Sequence, residues 1–275
     1  MFETLKENGF QVEFLSHAKA ILSEDFPEAV KELETVLADV KLPIEEVIGS
    51  GGGETKGTQR LRRALASAGW PKGTFRIEKK INDVTRESIS HEIDHVRTFD
   101  NRGVIALEIE WNNKDPFFDR DLENFKRLHS EGAISVGVII TRGTSLQDSM
   151  RDFVLRFAQD RGLQALDDLA ALELRPTKRQ SDTVTRLLTR DRDPLPFPEA
   201  WSGVFVADKY GAATTHWRKL EDRVHRGVGN PCPLLLIGLP ASIVTFGETD
   251  VDAEGEPVEP FDPEDAALLG GDSAG

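Results

Sequence analysis

Cysteine is nearly missing from this 275-residue chain: the single Cys232 can form neither an internal disulfide nor a multi-cysteine zinc site. Long apolar runs are missing too, since no stretch approaches the roughly 18 residues of a membrane span. The opening MFETLKENGF has no basic start followed by an apolar segment, so no secretory signal is expected. Positive charge is also short. Thirty-four basic residues face 48 acidic ones, for a net charge of -14, which excludes a protein coated in positive charge. It does not exclude a polyanion partner, because a local basic surface or a bound cation can serve as well. The deficit is uneven: ten of the 48 acids and none of the 34 bases lie from Glu248 onward, leaving -4 on the rest. Arginine outnumbers lysine 21 to 13, a bias that suits bidentate contacts to phosphate or guanine and that genome composition explains equally well. With 39% hydrophobic and 30% charged residues, the chain is expected to be soluble and cytoplasmic, without membrane partners.

What is present divides the chain into three regions. Residues 1–75 are expected to form an N-terminal helical region. Phe26, Val30, Leu33 and Leu37 recur at helical spacing behind Ser23 and Pro27, and a second helix follows Thr58. Between them, Gly49–Gly57 lacks the glycine that a phosphate-binding loop needs before Lys56, and is expected to be a flexible loop. Residues 76–246 alternate strand and helix signals. VIALEIEW (Val104–Trp111) follows the turn Asp100–Gly103, a helix carries Phe118, Leu122, Phe125 and His129, and the nearly all-apolar ISVGVIIT (Ile134–Thr141) follows. Ser145 and Asp148 suggest a capping box for the next helix. Strand, helix, parallel strand and helix in that order define an α/β core. Beyond Leu174 the chain turns basic, with Arg175, Lys178, Arg179, Arg186, Arg190 and Arg192; a solvated linker and a DNA-contacting arm both fit. Thr214 or Thr215 is expected to cap a helix with Trp217, Leu220 and Val224 inward, and LLLIGL (Leu234–Leu239) reads as a strand. Residues 247–275 are acidic, rich in glycine and proline, and expected to be a disordered tail.

Two motifs compete for one segment. His91-Glu92-Ile93-Asp94-His95 matches H-E-x-x-H, which on a helix would bind zinc through both histidines with Glu92 as general base. Alternatively, Ser88–Phe99 and Val104–Trp111 form a hairpin around Asp100–Gly103, placing Asp94 across from Glu108 or Ile109. Side chains alternate along a strand, so Glu108 and Glu110 share a face with Ala106. Three converging carboxylates repel one another unless a cation neutralises them, and hard oxygen donors suit Mg²⁺. An ordinary charged hairpin face, or Lys114 as counter-charge, accounts for the same pattern.

EIDH (Glu92–His95), ALEIEWNNKDPFFDRDL (Ala106–Leu122) and VGVIITRG (Val136–Gly143), with KYGAATTH (Lys209–His216) and GNPCPLLLIG (Gly229–Gly238), resemble type II restriction endonucleases of the BglII/BstYI kind. The resemblance spans roughly residues 85–245 and favours the hairpin. It implies a restriction-endonuclease-like PD-(D/E)xK core with a central mixed sheet flanked by helices. It also implies a homodimer that cuts double-stranded DNA at a short palindrome with Mg²⁺. Asp94, Glu108 and the carbonyl of Ile109 would hold the metal, and Glu110 stands where the general pattern has lysine. Glu78 and Asn82 lie where some relatives place a further acid or amide. Asn112, Asn113 and Lys114, leaving the catalytic strand, and Thr214, Thr215 and His216, before a helix, are the candidate DNA contacts. A catalytically inactive DNA-binding relative is the alternative, with the zinc protease behind it.

Overall fold

A computed structural model describes residues 1–49 and 55–247. Most of the glycine-rich loop and nearly all of the acidic tail expected above lie outside the described residues. In chain order the elements are α1 (Glu3–Glu7), β1 (Gln11–Leu15), α2 (Ala18–Glu24), α3 (Pro27–Ala38), β2 (Leu42–Pro43), α4 (Ile44–Ile48) and α5 (Lys56–Ser67). Then come β3 (Gly73–Ile81), β4 (Val84–Ile93), β5 (His95–Phe99), β6 (Gly103–Glu110), α6 (Phe117–Ser130), β7 (Val136–Arg142) and α7 (Thr144–Asp160). The chain continues through α8 (Leu166–Ala171), α9 (Lys178–Thr189), α10 (Phe197–Lys209), α11 (Trp217–His225), β8 (Leu234–Leu239) and β9 (Val244–Thr245).

The central sheet is mixed, in the order β1-β8-β7-β6-β5. β6, β7 and β8 run parallel, while β1 and β5 flank them antiparallel. All seven residues of β7 and all six of β8 are buried, as expected for strands covered on both faces. Ile105, Leu107 and Ile109 of β6 join the larger core with the N-terminal helices and α7, whereas Ala106 faces a second core built with α6 and α11. Gly137 allows α6 to lie close on that second face, since a Cβ there would stand 2.5 Å from the Phe125 ring. The fold is thus the expected α/β core with a central mixed sheet.

Four local expectations change. The 1–75 stretch is largely helical, yet Gln11–Leu15 forms the edge strand paired with β8. Residues Ser88–Phe99 are two strands in different sheets: β4 pairs with β3 in a separate hairpin, and only β5 pairs with β6. The basic segment after Leu174 is no linker, because Lys178–Thr189 is a helix with Thr177 and Gln180 forming its capping box. The expected caps at Ser145 and Asp148 are absent: α7 starts behind Gly143 without a side-chain cap, Ser145 Oγ accepts from the Ala241 N–H, and Asp148 pairs with Arg218.

Candidate active site

Asp94 occupies the break between β4 and β5. With its backbone outside either ladder, its side chain turns to β6: Oδ2 accepts from the Ile109 N–H at 3.0 Å and Oδ1 from Arg62 Nη2 at 2.7 Å. The Asp94 N–H donates back to Glu108 Oε2 at 3.2 Å. The hairpin therefore sets Asp94 against Glu108 and Ile109, because Phe99↔Gly103 fixes the register and His95 lands opposite Leu107.

Glu108 and Glu110 share the face of β6 that looks toward α6, and both are buried. Asp121 of α6, fully buried, meets them there. Its carboxyl is within hydrogen-bonding reach of that of Glu110, its Oδ1 accepts from Arg120 Nε at 2.9 Å, and its Oδ2 has no partner. Arg120 Nη2 also stands 3.8 Å from Glu110 Oε1, and Asn113 Nδ2 donates to Glu110 Oε2 at 2.8 Å.

This crowding shifts protonation. Burial, and then the charge of Asp121, pushes the Glu110 carboxyl up to about 9 and the Glu108 carboxyl well above the usual range; burial also raises Asp121. At neutral pH and without a cation, the raised Glu110 carboxyl therefore holds a proton. Among the described residues these acids do not present three ligand atoms within 4.8 Å of one another; Glu13, Glu221 and His225 do, elsewhere on the surface. What the site offers a cation is the Asp94–Glu108 pair, backed by Glu110 and Asp121.

The two stretches expected to read DNA are brought together beside this cluster. Lys114 and Thr214 form an antiparallel bridge, the Thr215 N–H donates to the Asn113 carbonyl at 2.9 Å, and Thr215 Oγ1 accepts from the Asn113 N–H at 3.1 Å. Asn113 and Lys114 are exposed, Asn112 and Thr214 half-buried, and Thr215 and His216 buried. Neither threonine caps α11; that position belongs to His216, with no side-chain cap bond. Lys114 lies beyond the end of β6, so the cation beside Glu110 is Arg120 and not Lys114. Burial, with Arg142, Lys219 and Arg218 nearby, holds the His216 ring down to about 4, and it is neutral.

The helix that the zinc-protease reading requires is absent. His91 lies in β4 opposite Phe75 and His95 in β5 opposite Leu107, with His95 Nδ1 2.6 Å from the Trp70 carbonyl oxygen. Glu78 pairs with Arg76 and Lys80 on β3, and Asn82 forms the β3–β4 turn at positive φ; neither is among the partners of the acidic cluster. Asp121, Arg120 and Arg62 were not singled out from sequence. Asp121 had a signal, since it falls within the apolar stripe of Phe118, Leu122 and Phe125, where an acid is out of place.

The site thus combines an acid at a strand break with two acids on the neighbouring strand of a mixed sheet. A family model described as "Restriction endonuclease BglII/BglIII" matches residues 10–239. The chain belongs to this family. The match runs from just before β1 to the end of β8, so it takes in the whole five-stranded sheet as well as Asp94, Glu108 and Glu110. Membership in the BglII/BglIII family makes the chain a type II restriction endonuclease, a hydrolase that cleaves DNA at a specific site, with a restriction-endonuclease-like fold. Family enzymes of this kind are typically dependent on a divalent metal. No curated protein matches the chain. No helix among the described residues is long and apolar enough to cross a membrane.

Proposed function

We propose that the protein hydrolyses phosphodiester bonds of double-stranded DNA at a short palindrome, as a cytoplasmic homodimer, with Mg²⁺ held by Asp94, Glu108 and the carbonyl of Ile109. The observation that carries this reading is the Asp94–Glu108 link: an acid at the β4–β5 break and an acid on β6, joined through the Asp94 N–H and anchored on the Ile109 N–H. The donor set fits a hard cation. It is all oxygen, it lies beside buried acids whose proton affinities burial raises, and next to it a buried Asp121 oxygen has no hydrogen-bond partner among the described residues.

When bound, Mg²⁺ supplies Lewis-acid polarisation of the scissile phosphate and lowers the pKa of its water. Glu110, two residues beyond Glu108 and steered by Asn113, orients the attacking water and, with its own proton displaced when the cation binds, takes the proton of that water. Arg120, beside Glu110 and Asp121, is placed to meet charge that develops on the phosphate. Asn112, Asn113, Lys114 and Thr214 provide the DNA-facing edge, while Thr215 and His216 support it from within. A two-fold dimer suits a palindromic duplex, because protein and DNA symmetry then coincide.

Incubating a plasmid library with the purified chain and Mg²⁺, then sequencing the ends, tests the reading. Discrete ends at one palindrome are expected. Random nicks would contradict sequence-specific hydrolysis, and intact DNA with retained binding would make the protein an inactive DNA-binding relative.

A further inference from the structure

β7 is apolar as far as Ile140, then carries Thr141 and ends on a buried arginine. Arg142 is fully buried, and no carboxylate is among its partners within the described residues. Its Nη2 donates to Thr214 Oγ1 at 2.7 Å and to the Thr215 carbonyl at 2.6 Å, while Nε and Nη1 have no partner. Its guanidinium carbon stands 5.0 Å from the centre of the Tyr210 ring and 5.9 Å from that of Trp111. Burying a cation without an anion is unfavourable, and an apolar side chain of similar volume would fill this space at less cost. Burial pushes the guanidinium down to about 10, in keeping with that cost.

What the arginine secures is legible in its bonds. It ties down Thr214 and Thr215. Thr215 in turn exchanges two hydrogen bonds with the backbone of Asn113, whose side chain donates to Glu110 Oε2. A continuous bonded path therefore runs from Arg142, through the 211–216 turn, to the Glu110 side chain, beside the direct bond from Thr141 Oγ1 to the Glu110 backbone carbonyl at 2.7 Å. We propose that Arg142 is a positioning residue that seats this turn against the catalytic strand, so that the placement of Glu110 depends on the placement of the DNA-reading edge. The inference rests on the roles proposed above for Glu110 and Asn113. It gives the enzyme a means to couple base reading to cleavage: contacts that shift the turn shift Glu110 with it.

The test uses the full chain with Arg142→Met, which keeps a long unbranched stem but has no donor for either acceptor, and Thr215→Val, which removes only the hydroxyl that receives the Asn113 N–H. Cleavage of a cognate duplex and of one differing by a single base pair is followed under single-turnover conditions, beside Mg²⁺-free binding to random duplex and thermal midpoints. Both variants should lose about tenfold or more in the cognate cleavage rate and in discrimination, with random-duplex affinity within about twofold of wild type. The double variant should lose little beyond the worse single one, because both break the same path. A residue that merely filled the core would lower the thermal midpoint and leave discrimination untouched. Folded variants with wild-type rate and discrimination, or losses that simply multiply in the double variant, would overturn the inference; should Arg142→Met fail to fold, Thr215→Val decides. A wild-type chain that leaves DNA intact overturns the underlying functional reading, and this inference with it. Cleaving wild type beside matching variants overturns the inference alone.

Discussion

The carboxyl groups of Glu110 and Asp121 face each other across the gap between β6 and α6, both buried, with Arg120 as the neighbouring cation. Such a pair is unfavourable for folding and favourable for a divalent ion.

Asp121→Asn should consequently stabilise the metal-free protein, on the order of 1 kcal/mol, by removing a buried charge that Glu108 and Glu110 both feel. The same change should raise the Mg²⁺ concentration needed for half-maximal cleavage several-fold. Thermal melts in chelator and a Mg²⁺ titration of cleavage check the two halves separately.

The part of this site that could be read from sequence was the part fixed by short-range rules. The turn Asp100–Gly103 sets the β5–β6 register, and period-two alternation then puts Glu108 and Glu110 on one face opposite Asp94. The parallel β6–α6–β7 unit followed from apolar periodicity in the same way. Periodicity alone left Ser88–Phe99 between helix and strand, since Ile89, Ile93, Val96 and Phe99 fit a helix, and the family resemblance decided it. β1 was missed because QVEFL is five residues long and pairs with β8, more than two hundred residues away, so nothing local marks it. Arg142 and Asp121 are charges placed among apolar residues. Their partners lie on the 214–215 turn and on β6, which only the packing of distant elements brings near.

His216 supplies a pH dependence with a definite sign. Its ring is held at about 4 in the fold, against an ordinary 6.5, so the unfolded chain takes up a proton first as pH falls. Stability present above pH 6.5 should thus be lost progressively down to about 4. His216→Gln should remove part of that loss, which thermal midpoints of both proteins at pH 7 and pH 4.5 would reveal as a smaller difference in the variant.

Removing residues 248–275 takes away ten acidic residues and no basic one, changing the net charge from -14 to -4. The shortened chain should cleave at the wild-type rate and bind random duplex more tightly at low salt, with the difference fading as salt rises. Binding measured across a salt series, beside the cleavage rate, checks both statements.

The most direct test of the account is cleavage by Asp94→Asn and Glu108→Gln, which preserve shape while removing the two carboxylates said to hold the metal. Assayed on the cognate duplex with Mg²⁺, each should lose about a thousandfold or more in rate while keeping a cooperative melt and cognate binding. Wild-type cleavage by either folded variant would contradict the assignment of Asp94 and Glu108 as the metal-binding centre of this endonuclease.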